Sequence, residues 1–159
     1  MDKFGGRWNI MKTMGINLIK GFFYYAILDG SKQNPRIIEK NKLSTITTVN
    51  VPELMDWYCK TFNALLQLHH PTKIAYRFHL NPNKNQITYI HYPLGLLCYM
   101  SYMMQIPINS YPPQSYVASK LNMPKGTDLI AYCDQIFGSL PPYWDTNMKH
   151  AILSAWFDL

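Results

Sequence analysis

Asn147 and His150 stand three positions apart, directly ahead of the run Ala151, Ile152, Leu153, Ser154, Ala155, Trp156. An asparagine offers a neutral carbonyl oxygen and a histidine a ring nitrogen, so the pair brings polar atoms but no negative charge. Carboxylates that could support metal-assisted hydrolysis are sparse. Asp128 and Asp134 are six apart, which sets them on different faces of one regular helix, and Asp145 suits a helix cap. These three are the best carboxylates available for a metal site. His69 and His70 precede Pro71 and can be weighed with His91 as ligands, but adjacent residues point differently and no ligand spacing joins the three. Favourable placement at the negative end of a helix explains the His pair more simply. Cys59, Cys98 and Cys133 are far apart and lie in apolar stretches, the pattern of free thiols in a reducing compartment. Ser115 and Ser154 have no nucleophile motif, and Cys59 has no identifiable base.

With 159 residues and 48% hydrophobic content, the chain suits one domain with a substantial core. Fifteen lysines and arginines against nine acidic residues give a net charge of +6, which favours anionic partners. DNA or RNA leads as the partner class; an anionic protein surface or a second copy of the chain stands behind it. The basic residues are scattered, with Arg36, Lys40 and Lys42 in one stretch and Lys120 and Lys125 later. Exposed aromatics beside Arg36, Lys40 and Lys42 would favour nucleic acid, since bases stack on them. Exposed Met103, Met104, Tyr143 and Trp144 without positive charge nearby would favour protein assembly instead. No segment reaches the length of about 20 apolar residues that a membrane span needs. The most hydrophobic run, Pro93 to Met104, reads as a core helix. A cytoplasmic or other reducing intracellular location is the expectation.

The elements that must position these residues follow from periodicity. Residues 1–13 read as an extension. Met14 to Leu18 and Phe22 to Leu28 are strand-forming and joined at Gly21, Asp29 and Gly30 signal a turn, and Arg36 to Leu43 is a third extended segment. Leu54, Trp57, Tyr58, Phe62, Leu65 and Leu66 then recur at helical spacing after Pro52. Lys73 to Leu80 alternates as a strand, which would put His79 on the side of Arg77. Asn81 to Gln86 reads as a loop, Pro93 to Met104 as a helix, and Ile106 to Tyr111 as a strand ending before Pro112 and Pro113. Helices are expected from about Gln114 to Leu121, from about Asp128 to Phe137, and from Asp145 or Thr146 onward. In the last of these, Ala151 and Ala155 are four apart and allow close approach to a sheet.

This organisation resembles the RNase H-like superfamily, and within it the Holliday-junction resolvases of the RuvC type. The resemblance covers about residues 14 to 158 and implies an α/β fold: an RNase H-like mixed sheet with an N-terminal three-stranded meander and flanking helices over residues 14–159. In the family the first strand carries a carboxylate after Gly-Ile; here Met14, Gly15, Ile16 lead to Asn17. A second carboxylate closes the strand after the first helix, where this chain has Arg77. Two aspartates three apart precede the final helix, where this chain has Asn147 and His150. Together these changes remove about four formal negative charges from a site that would otherwise hold Mg²⁺ or Mn²⁺ on hard oxygen ligands. The resemblance thus implies a catalytically degenerate domain with no cofactor, acting in nucleic-acid binding or as a subunit of a nucleic-acid-processing assembly. Three alternatives stay open: a divergent Mg²⁺- or Mn²⁺-dependent nuclease with a relocated site, a protein-interaction subunit without nucleic-acid contact, and a cluster of Asn17, Arg77, Asn147 and His150 that only bonds to itself. If that cluster faces a cleft, it can hold a phosphate or a flipped base without cutting. Arg36, Lys40, Lys42, Arg77, Lys120 and Lys125 are the candidate nucleic-acid contacts.

Overall fold

A computed structural model describes residues 10–159. Five strands form one sheet: β1 (Thr13–Ile19), β2 (Phe22–Gly30), β3 (Pro35–Ser44), β4 (Lys73–Arg77) and β5 (Ile108–Tyr111). Their order is β3-β2-β1-β4-β5. The first three make the antiparallel meander, while β4 runs parallel to β1 and β5 parallel to β4. The helices are α1 (Val51–His69), α2 (Lys84–Gln86), α3 (Tyr92–Met103), α4 (Leu129–Phe137) and α5 (Thr146–Phe157). Mixed sheet, meander and flanking helices are those of the RNase H-like fold.

Strand alternation sends side chains to two separate cores. On one face Met14, Ile16, Leu18 and Phe23 pack against Leu54, Tyr58 and Phe62 of α1 and Leu94 and Leu97 of α3. On the other, Tyr24, Ala26 and Leu28 meet Ala151, Ile152, Ala155 and Trp156 of α5, with Leu129 and Cys133 of α4 beyond. Gly15 and Asn17 belong to this second face of β1. A Cβ on Gly15 would lie 1.9 Å from the Ala151 carbonyl oxygen and 2.9 Å from the Ala155 Cβ. The pairing of a glycine with two small helix residues therefore sets the depth at which α5 rests on the sheet, as the spacing of Ala151 and Ala155 predicts.

Side chains cap the helix starts, with Asp145 doing so as expected. Asn50 accepts from the Glu53 N–H to start α1, Asp128 accepts from the Ile130 and Ala131 N–H groups to start α4, and Asp145 accepts from the Met148 N–H to start α5. Gly138 ends α4 at φ 72°, a conformation that glycine adopts without strain.

Four expectations change. The strand expected over Lys73 to Leu80 stops at Arg77, because its partner β5 stops at Tyr111 and Pro112 and Pro113 follow without N–H groups. β5 itself begins at Ile108 rather than Ile106. The loop expected over Asn81 to Gln86 instead contains a helix start: Asn83 and Gln86 form a capping box, and α2 continues through a π-helical turn (Ile87–His91) into α3. The single helix expected over Gln114 to Leu121 is two 3₁₀ turns, Pro113–Ser115 and Ala118–Leu121, separated by β-branched Val117 in extended conformation. The extension expected over residues 1–13 falls largely outside the described residues. Within them, Lys12 already bonds to Thr72 through its N–H and its carbonyl oxygen, and Thr13 begins β1.

Candidate functional site

The C-terminal ends of β1 and β4 lie side by side beneath the start of α5. Ile16 is level with Tyr76 in the parallel pair, so Asn17 and Arg77 are the next positions on adjacent strands. Both face α5. Asn17 is fully buried, and its Nδ2 donates to the Asn147 carbonyl oxygen at 3.0 Å and to Asn147 Oδ1 at 3.4 Å. His150 lies three residues further along α5, its ring 5.3 Å from that of Tyr116, and the Arg77 guanidinium lies 5.5 Å from the Tyr116 ring. Tyr116 shares a 2.6 Å hydrogen bond with Ser154, whose hydroxyl donates to the His150 carbonyl oxygen at 2.8 Å. Asn17, Arg77, Asn147 and His150 thus come from three elements to one place.

Two more histidines lie within electrostatic reach. His79 follows the end of β4, outside the strand alternation that was to align it with Arg77, yet the Arg77 charge acts on it. His91 closes the π-helical turn and acts electrostatically on His79. Grouping His91 with His69 and His70 therefore fails: His69 sits 3.5 Å from Glu39 under Tyr25, on the side of α1. Sequence reasoning missed His91 at this site. The signal was weak, because a π-helical turn breaks the spacing by which helix faces are read.

The electrostatics are dominated by one cation, Arg77. Burial foremost, then the Arg77 charge and His79, lowers the His150 pKa to about 4. Burial, Arg77 and His91 also lower that of His79. Burial raises that of the Tyr116 hydroxyl, so it stays a neutral donor. Asn17 Oδ1, Arg77 Nε, His91 Nε2 and His150 Nδ1 are all buried without a hydrogen-bond partner among the described residues. The cluster therefore bonds to itself only through the Asn17–Asn147 pair and the Tyr116–Ser154–His150 chain.

This donor set does not fit the two divalent cations that the fold implies. Such ions need several anionic oxygens, and here a guanidinium stands among neutral amides and imidazoles. Among the described residues, no three His, Cys, Asp or Glu side chains are grouped so as to hold a metal ion. The three aspartates weighed for a displaced site are each engaged elsewhere. Asp128 caps α4, Asp145 caps α5 and accepts from the Tyr24 hydroxyl, and Asp134 accepts from Lys149 Nζ at 2.9 Å and Trp144 Nε1 at 2.6 Å.

Basic residues flank the site unevenly. Lys42 lies opposite Tyr24, with its Nζ 4.0 Å from the Phe22 ring centroid and 5.3 Å from that of Tyr24. Tyr24 is level with Asn17, and Arg77 is level with Tyr111, over which Lys120 lies at 5.4 Å. Lys42, Tyr24, Asn17, Arg77, Tyr111 and Lys120 thus form one row across the sheet, buried at its middle and reaching solvent at its ends. Lys40 bonds to the Pro142 carbonyl oxygen and lies 5.9 Å from the Trp144 ring. Trp144 also meets Lys149, so it does not stand apart from positive charge. Lys125 is exposed and lines a cavity of about 550 Å³ next to Tyr116. Arg36 lies apart, at the far end of the β2–β3 hairpin, in a two-bond pair with Asp29 at 2.8 Å. Cys59, Cys98 and Cys133 are free, and only Cys133 is buried. Among the described residues, no helix is long and apolar enough to cross a membrane.

No protein-family model matches the chain, and no curated protein sequence does. Solved structures do match. Thermus thermophilus RuvC in complex with a Holliday-junction substrate aligns at 13% identity and a TM-score of 0.74, over 92% of each chain. The yeast mitochondrial Holliday-junction resolvase Ydc2 aligns at 17% identity and 0.64, over 93% of this chain and 77% of its own. The fowlpox virus Holliday-junction resolvase aligns at 12% identity and 0.56, over 93% and 96%. At these identities the likeness shows the fold that the resolvases share.

Proposed function

We propose that this domain binds nucleic acid at Arg77, beside buried Asn17, without hydrolysing it. The observation that supports this reading is the cross-strand row from Lys42 to Lys120. In that row Arg77 is the central cation, and a lysine lies over an aromatic ring at either end. A guanidinium contacts a phosphate directly through charge-assisted hydrogen bonds and needs no bridging cation. Phosphate contacts position a nucleic acid without reading its sequence, so the domain serves as a holding module.

The test is to incubate the protein with four-way junction, duplex DNA and an RNA–DNA hybrid in Mg²⁺, Mn²⁺ or EDTA. Expected are salt-dependent binding, equal in EDTA, and no cleavage. Cleavage lost on substitution of Asp128, Asp134 or Asp145 would instead establish a relocated nuclease centre.

A role within a protein assembly is compatible with this reading and has its own support. Helix α3 has no charged residue and leaves Tyr99, Tyr102 and Met103 exposed, an apolar face of the kind that marks interaction surfaces. Sedimentation of the purified chain distinguishes self-association from a monomer that awaits another partner.

A further inference from the structure

We propose that the cavity at the β1–β2 turn takes an unpaired nucleobase of the nucleic acid held at Arg77. This rests on the nucleic-acid reading above and adds a second site, its ligand group and a preference among substrates.

The cavity has a volume of about 340 Å³ and is walled by three parts of the chain. Lys20 and Phe22 come from the β1–β2 turn and the start of β2, Ser44, Thr45 and Thr47 from the end of β3 and the segment after it, and Tyr89 from the π-helical turn. The Thr45 N–H donates to the Gly21 carbonyl oxygen at 3.0 Å and ties two of these walls together. Tyr89 packs against the core of α1 and α3, and Phe22 against the core of α5, so the two rings are anchored on opposite faces of the sheet. Among the described residues, no carboxylate lines the space. Its volume falls in the range of small-molecule sites, about 300–1,000 Å³.

The lining selects the ligand. Each ring already meets a lysine: Lys20 Nζ lies 5.2 Å from the Tyr89 centroid, and Lys42 Nζ 4.0 Å from that of Phe22. Two ammonium groups with no carboxylate beside them disfavour a cationic ligand. The rings offer faces to a flat π-system, and the Ser44, Thr45 and Thr47 hydroxyls can donate or accept at its polar edge. A nucleobase has both such a face and such an edge. Stacking on an aromatic ring outweighs an exposed cation–π contact, so an entering base displaces Lys20 from Tyr89. The freed ammonium then meets the phosphate that flanks the base.

Position supports the same ligand. Phe22 lies two residues before Tyr24 on β2, and Ser44 two residues after Lys42 on β3, so the cavity begins about 7 Å from the Lys42 end of the cross-strand row. A strand whose phosphates meet Lys42 brings its neighbouring bases to the mouth of the cavity. A base inside a duplex must leave its pair and its stack to enter, and an unpaired one is spared that cost.

The test compares a fully paired duplex with the same duplex carrying one bulged 2-aminopurine, both in EDTA, by anisotropy and by the fluorescence of that base. The parent chain is expected to bind the bulged duplex on the order of fivefold more tightly, with a change in 2-aminopurine emission as the base stacks. In Tyr89→Leu the ratio of the two affinities should fall to about one. Ser44 and Thr47 are exposed, so the double variant Ser44→Leu and Thr47→Leu fills the cavity from its rim and should abolish the preference even if Tyr89→Leu fails to fold. Equimolar adenosine monophosphate separates a free nucleotide from a base in a strand: it should leave the preference unchanged, and displacement of the bulged base would overturn the assignment to a polynucleotide. Arg77-dependent binding of both duplexes with equal affinity, or a preference that the variants retain, would overturn this inference and leave the nucleic-acid reading standing. Binding of neither duplex would overturn both.

Discussion

The Asn17 side chain donates to the Asn147 carbonyl oxygen at 3.0 Å, joining the first strand to the last helix across 130 positions of sequence. With its longer contact to Asn147 Oδ1, it makes up all the hydrogen bonding from β1 to α5 among the described residues. Replacing Asn17 with Ala deletes the tie without adding bulk to a fully buried position. The expected loss is about 1–3 kcal/mol of unfolding free energy, read by chemical denaturation. A variant as stable as the parent would show that helix packing alone holds α5.

Gly15 carries a steeper expectation. Any side chain there meets the Ala151 backbone oxygen at 1.9 Å and Ala155 at under 3 Å, and neither can yield without lifting α5. Overpacking a close-packed core costs about 1–3 kcal/mol even where side chains can adjust, so Gly15→Val is expected to exceed that range. Its thermal midpoint should fall well below that of Gly95→Ala, whose Cβ meets nothing within 4 Å. Equal midpoints would contradict the close contact.

The lowered pKa of His150 sets a pH dependence of stability. Its ordinary value of 6.5 falls to about 4 in the fold, so between these values the unfolded chain binds the proton more readily. The contribution is therefore fully present above about pH 6.5 and lost as pH falls toward about 4. The shift of His79 acts in the same direction. His150→Gln should flatten the fall in urea midpoint across that window, while parallel curves for parent and variant would contradict the assignment.

Asp145 is assigned to structure, capping α5 and accepting from the Tyr24 hydroxyl at 3.1 Å. Asp145→Ala should cost about 0.5–2 kcal/mol, the range for a lost N-cap, and leave nucleic-acid affinity within about twofold. Loss of binding without loss of stability would place Asp145 in the site instead.

Much of this molecule is legible in its sequence, for identifiable reasons. Strand alternation and helical spacing place the meander, α1, α4 and α5, with Pro52 marking the first turn of α1 and Asp145 the start of α5. Where geometry departs from simple periods, reading fails. The π-helical turn hides His91, and the early end of β4 depends on where β5 runs out, which no local pattern around His79 reveals. Asn17, Arg77, Asn147 and His150 could be named only through a family resemblance. Their convergence depends on strand register and on the depth that Gly15 allows α5. Arg36 illustrates the reverse limit: its charge is visible in sequence, but its commitment to buried Asp29 is not.

The proposed direct hold of Arg77 on nucleic acid replaces the cations that a two-metal nuclease would use. It is tested most directly by anisotropy of a labelled four-way junction in EDTA, comparing the parent chain with Arg77→Met at matched stability. The account predicts binding in EDTA and a loss of about tenfold or more in the variant, as for a charge-assisted phosphate contact. Binding that requires Mg²⁺, or that the variant retains unchanged, would contradict it.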